Sequence, residues 1–135
     1  MRLFSRAKDG GPLSTVTGYW LIELKRLLSV VLLRFSDGSR DEYHDHAFDS
    51  LNWVISGMVI EEVIDPGGQI ICHRVYGPSW RPIVTRRSRM HRVVSHGTTW
   101  VFSLRGPWTE TWCEYDRKSD RFTVLTHGRK VVHSE

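Results

Sequence analysis

GSRDEYHDHAFDSLNWVISG, residues 38–57, sets two histidines separated by one residue between a glycine at each end. Along an extended chain successive side chains point to opposite sides, so His44 and His46 share one face and Asp45 points away from it. Two imidazoles on one face of a strand can converge on a single metal ion, because each offers a neutral nitrogen donor. The same pair can equally hydrogen-bond within a polar lumen, with Ser50, Asn52 or Tyr43 as partners. An HxH pair alone does not separate these two readings.

Outward from this stretch the punctuation is that of an all-β chain. Turn formers recur at Ser36-Asp37-Gly38, Asp65-Pro66-Gly67-Gly68, Gly77-Pro78, Arg105-Gly106-Pro107 and Arg117-Lys118-Ser119-Asp120. Between them lie runs rich in β-branched and aromatic residues at 51–64, 69–76, 92–94, 110–115 and 122–125. In one further run Trp100, Phe102 and Leu104 alternate with Val101, Ser103 and Arg105, which makes one face strongly apolar and the other mixed, as on a barrel wall. Many short strands at this spacing predict a sandwich or jelly roll. The segment 15–35 is ambiguous. Leu21, Leu24, Leu28, Val31, Leu32 and Phe35 fit helical spacing, whereas Ser29-Val30-Val31-Leu32-Leu33 reads as a buried strand.

At 135 residues with 40% hydrophobic content, the chain can bury one core and not two. The organisation this predicts is a flexible N-terminal arm over 1–12, ending in Asp9-Gly10-Gly11-Pro12, then a barrel over 13–125 and a loosely ordered tail over 126–135. The strongest apolar stretch, 27–33, is flanked by Arg26 and Arg34 and falls far short of the roughly 20 residues that span a bilayer. No apolar segment of the signal-peptide kind follows Arg2, Arg6 and Lys8, so the cytoplasm is the default location and no membrane partner is expected. Cys72 and Cys113 are too far apart for a CxxC motif and are expected as reduced, buried thiols. Nineteen basic against fifteen acidic residues leave a net charge of +4, so at most weak nucleic-acid binding is expected.

The spacing in 38–57 resembles the first motif of the cupin family: glycine, five residues, HxH, three or four residues, glutamate, six residues, glycine. Gly38, His44, His46 and Gly57 fall in register, with Ser50 where the family has glutamate and Asp49 facing the opposite way on a regular strand. The second cupin motif supplies one more histidine, and its counterpart here is Arg86-Arg87-Ser88-Arg89-Met90-His91, with Arg86 and Ser88 at the usual proline and glycine positions. Val54-Ile55-Ser56-Gly57, His91-Arg92-Val93 and Trp100-Val101-Phe102-Ser103-Leu104-Arg105-Gly106-Pro107, followed by Trp112, look like small cupin-like proteins of bacteriophages and prophages. The resemblance implies a single-domain cupin, an all-β double-stranded β-helix or jelly-roll barrel, and favours strands over a helix for 15–35. It would place the protein in the host cytoplasm if the chain is phage-encoded.

The resemblance also implies a metal site built from His44, His46 and His91. Three imidazoles without a carboxylate suit one divalent transition metal, with Fe(II) favoured over Zn, Ni or Cu. Tyr43, Ser50, Asn52, Arg87 and Arg89 are the candidates for orienting a substrate; no catalytic residue is singled out. If 87–91 is extended, Arg87 and Arg89 share a face with His91 and can grip a carboxylate or phosphate; if a turn interrupts it, they form a solvated rim. Trp80 and Trp108 allow base stacking but also serve ordinary packing. His73 can face the lumen as an extra ligand, while His96, His127 and His133 are expected to be exposed.

The function expected is that of a metal-dependent oxygenase or isomerase acting on a small polar or anionic molecule, with homodimer formation compatible with this reading. Its rival is a non-catalytic phage accessory module that binds a host metabolite or host protein. A 2-oxoglutarate hydroxylase would need an acid where His46 stands.

Overall fold

The computed structural model describes residues 2–9, 14–39, 43–116, 119–126 and 131–134. Their strands in chain order are β1 (Arg2–Lys8), β2 (Val16–Leu24), β3 (Leu28–Phe35), β4 (Gly38–Ser39), β5 (Tyr43–His44), β6 (Ser50–Ser56) and β7 (Val59–Ile64). The second half adds β8 (Ile70–Tyr76), β9 (Ile83–Thr85), β10 (His91–Ser95), β11 (Thr99–Arg105), β12 (Thr111–Asp116), β13 (Arg121–Thr126) and β14 (Val131–Ser134). One sheet has the order β1-β2-β3-β11-β6-β9; the other runs β14-β13-β12-β5-β10-β7-β8, with β4 also paired to β10. Every pairing is antiparallel.

The ambiguous segment 15–35 resolves into the β2–β3 hairpin, paired from Val16↔Phe35 to Leu24↔Leu28. Helical spacing loses to strand pairing because Val31 and Leu33 alternate inward and are buried, while the intervening residues are only half-covered. The main core joins Val16, Trp20, Val31, Leu33, Val54 and Val101 of the first sheet to Val59 of the second, so the two sheets close face to face. Burying each such side chain contributes about 1.5–3 kcal/mol. A second, smaller core of Tyr43, Ile64 and Tyr115 lies within the other sheet, with Met90 packed on it.

Three expectations need correction. The arm expected over 1–12 is a strand as far as Lys8, paired to β2 from Arg2↔Glu23 to Lys8↔Thr17; residues 10–12 lie outside the described residues. The tail expected to be loose contains β14, paired to β13 from Thr123↔Ser134. In both places polar composition hides a backbone that finds a sheet edge to bond. The run 51–64 is two strands, because Gly57 turns the chain at φ +92°, and a Cβ there would lie 2.6 Å from the Thr98 carbonyl oxygen. Only glycine fits that corner. Among the described residues no helix is long and apolar enough to cross a membrane.

Candidate metal centre

The register of β10 builds the site. His91 pairs with His44 of β5 on one side and with Val63 of β7 on the other, which sets the third histidine directly across the ladder from the first. Although β5 ends at His44, the alternation continues. The Asp45 amide donates to the Cys113 carbonyl at 3.1 Å, and Asp45 Oδ1 accepts from the Cys113 amide at 2.6 Å. Asp45 is thereby held against β12, and burial raises its pKa against the lowering effect of hydrogen bonds from the Cys113 amide and from its own amide. The His46 amide donates to the Arg87 carbonyl at 3.2 Å, returning the next imidazole to the side of His44.

The three rings form a nearly equilateral triangle, with centroids 4.9 Å apart for His44–His46 and 5.0 Å for each of the other pairs. Their ligating nitrogens all lie within 4.8 Å of one another. His91 Nδ1 is 2.6 Å from Glu61 Oε2. Burial pushes the Glu61 carboxyl up, but the His91 hydrogen bond and the charges of His91, Arg89 and Arg74 outweigh it and hold the group below its ordinary value. In the neutral form of His91 that donates its Nδ1–H to an ionised Glu61, the Nε2 lone pair is left for the lumen. That Nε2 is buried and has no hydrogen-bond partner among the described residues. A carboxylate behind a histidine, with the other nitrogen directed inward, is the arrangement that orients an imidazole toward a metal ion. The donor set therefore fits a divalent transition metal, and the triad can hold one.

The centre opens into a cavity of about 120 Å³ between the sheets. Ser50 and Asn52 line it, with Asn52 Nδ2 donating to Ser50 Oγ at 3.0 Å and to Thr85 Oγ1 at 3.2 Å. Asp49 is exposed, and its Oδ1 accepts from the Arg87 amide at 2.7 Å, so it does not replace the family's glutamate. Tyr43 is a correction. It faces away from the cavity into the smaller core, where its hydroxyl donates to Glu62 at 2.8 Å.

The arginines are a second correction. A turn closed by the Arg89 amide on the Arg86 carbonyl interrupts 86–89, Arg87 is exposed, and neither Arg87 nor Arg89 lines the cavity. Arg89 instead reaches Glu61 at 3.5 Å, behind His91. His73 and His96 are exposed, and His127 lies outside the described residues. Trp108 packs against Phe48, whereas Trp80 is almost fully exposed. Cys72 and Cys113 are free and only partly buried.

Glu61, Arg105 and Asp9 line the cavity without having been singled out from sequence. A signal existed for the first, since Glu61 alternates with Val59 on the inward face of β7. Another existed for Arg105, which shares the mixed face of β11 with Val101 and Ser103; that face is the buried one. Asp9 gave none, lying among turn formers.

No family model and no curated protein sequence matches the chain. Solved structures do. The fold is similar to that of a sugar phosphate isomerase of the cupin superfamily from Silicibacter pomeroyi, at 14% identity and a TM-score of 0.61 over 96% of this chain and 89% of that one. An RmlC-like cupin from Shewanella frigidimarina is similar at 17% identity and a TM-score of 0.57, over 79% and 86%. FeII HppE in complex with substrate is similar at 12% identity and a TM-score of 0.59, covering 75% of this chain and 55% of that one. At such identities the likeness shows the fold, which is the single-domain cupin jelly roll.

Proposed function

We propose that this chain is a metal-dependent cupin enzyme of the oxygenase or isomerase type, acting on a small anionic molecule held in the lumen. One observation carries the reading: the buried His91 Nε2, backed by Glu61 and grouped with His44 and His46, has no hydrogen-bond partner among the described residues. A buried nitrogen left unmatched costs about 1–3 kcal/mol, a penalty that a metal bond removes. Similarity in fold to a sugar phosphate isomerase supports the isomerase class, and similarity to FeII HppE supports a preference for Fe(II) over Zn, Ni or Cu.

In this reading His44, His46 and His91 hold the ion, which when bound supplies Lewis-acid or redox chemistry. Glu61 keeps the His91 proton on Nδ1, Ser50 and Asn52 offer hydrogen bonds to the ligand, and the valine-rich walls limit access of water. Elemental analysis of protein purified without a polyhistidine tag tests the reading. The expected result is a transition metal at near-stoichiometric content, retained on dialysis and lost in His91→Ala. Protein that stays metal-free after anaerobic exposure to Fe(II), Zn(II), Ni(II) and Cu(II) would overturn it.

A second reading, a non-catalytic binding module, has one specific observation in its favour. Among the described residues no carboxylate joins the three histidines as a ligand. Under that reading the lumen binds its ligand with or without metal.

A further inference from the structure

Arg105 is a charged side chain in an unexpected place. It lies on the inward face of β11, is 4% exposed, and lines the same cavity as the histidines. Across the ladder it stands directly opposite Ser50, the residue at the position of the family's glutamate. Its guanidinium lies 4.6 Å from the centroid of Phe48, and that ring also lies 5.2 Å from the His46 ring. A single aromatic ring thus separates the guanidinium from the metal centre.

The present partner of Arg105 is Asp9. Arg105 Nη2 donates to Asp9 Oδ2 at 2.7 Å and Nη1 to Oδ1 at 3.2 Å, a two-pronged pairing of guanidinium with carboxylate. The two sides of this pair are held differently. Arg105 is in the barrel wall between β3 and β6, whereas Asp9 follows the last residue of the edge strand β1 and its side chain is 29% exposed. Arg105 Nε is buried and has no hydrogen-bond partner among the described residues, so the fork is not saturated by Asp9. A buried ion pair is seldom a gain over apolar packing.

We infer that Arg105 is the carboxylate-binding residue of this lumen, that Asp9 occupies the fork as a placeholder, and that the substrate class is small monocarboxylates with an aliphatic body. The body would lie along Val54 and Val101, and the far end would face the three histidines. The choice of a carboxylate follows from the partner already there, since an entering carboxylate reproduces the geometry of Asp9. The inference rests on the proposed metal centre only for what meets that far end.

The test uses butyrate and its neutral counterpart butyramide, titrated calorimetrically into the full chain after chelation of metal, with metal content assayed separately. Wild type should bind butyrate in preference to butyramide. Asp9→Asn, which keeps the shape and removes the competing charge, should tighten butyrate roughly tenfold by raising the fraction of open fork. Arg105→Gln should lose the preference for butyrate. If Arg105→Gln fails to fold, the wild-type and Asp9→Asn titrations decide the matter. Equal binding of the two probes, binding of neither in both proteins, or an Asp9→Asn that lowers the melting temperature without tightening butyrate would overturn the inference. Because these titrations are made without metal, a protein that binds butyrate but takes up no metal would overturn the metal reading alone. One that takes up metal but ignores the carboxylate would overturn this inference alone.

Discussion

The two ends of the lumen are built in different ways. At the histidine end, two of three candidate ligands come from one short segment, and the third is set across a single ladder by β10. At the arginine end, the paired groups lie 96 residues apart and meet only when the first strand closes on the barrel wall. The first end draws its geometry from strand alternation, which is a local property. The second depends on sheet order. A site of the first kind is damaged by changing the side chains in it, whereas a site of the second kind also depends on the strand that delivers one of its partners.

Four experiments sharpen or break this contrast. The largest effect is expected from His91→Ala, which removes one of three nitrogens and should weaken metal binding more than about 100-fold, beyond what losing a supporting partner costs. Competition with a chromogenic chelator measures it, and butyrate binding should stay within about twofold of wild type if the two ends are independent. A parallel loss of both would show a single coupled network.

Next in size is Glu61→Gln. The amide can still accept from His91 Nδ1, but the charge behind the imidazole is gone and Arg89 loses its partner. Metal affinity should fall about 10- to 100-fold. An unchanged affinity would mean that Glu61 serves only to bury Arg89 and His91 together.

Ser50→Glu works in the opposite direction. Ser50 lies in the cavity at the family's glutamate position, so an added carboxylate should tighten metal binding by about tenfold as a charged ligand joins a neutral set. Combined with Arg105→Gln, the gain should grow, because Arg105 stands opposite and competes for the same carboxylate. A gain that is the same in both backgrounds would place Arg105 too far from the centre to matter.

The smallest effect concerns the basic turn. Arg86 and Arg87 are exposed, and the chain carries a net charge of only +4, so a labelled DNA duplex should bind weakly at low salt and not at physiological salt. Arg86→Ala/Arg87→Ala/Arg89→Ala should remove the low-salt binding and leave that of butyrate intact. Tight duplex binding at physiological salt, lost in that variant, would make the outer turn the functional surface instead of the lumen.

Much of this molecule was legible in its residues because the decisive pattern has a short period. Gly38, His44, His46 and Gly57 keep the cupin spacing, and the same spacing puts Ser50 inward and Asp49 outward, as observed. Two-residue alternation needs no knowledge of the partner strand. Gly57 adds a steric reason for its own place, since the backbone of Thr98 leaves no room for a Cβ.

What tertiary structure alone decided is which face of each strand meets which partner. Alternation sets Tyr43 on the face opposite His44, but only the neighbouring strands make that face the smaller core, where Tyr43 packs with Ile64 and Tyr115. Arg87 and Arg89 share a face with His91 only on an extended chain, and the turn at 86–89 separates them. Glu61 and Arg105 looked like ordinary charges in apolar runs, and the arm that carries Asp9 looked like solvent-exposed chain. Strand order within each sheet gave these three their roles: the pairing of β7 with β10 brings Glu61 to His91, and the first sheet, which holds both β1 and β11, brings Asp9 to Arg105. A charge inside a barrel is stable only where another chain segment brings its counterpart, and local sequence does not encode that meeting.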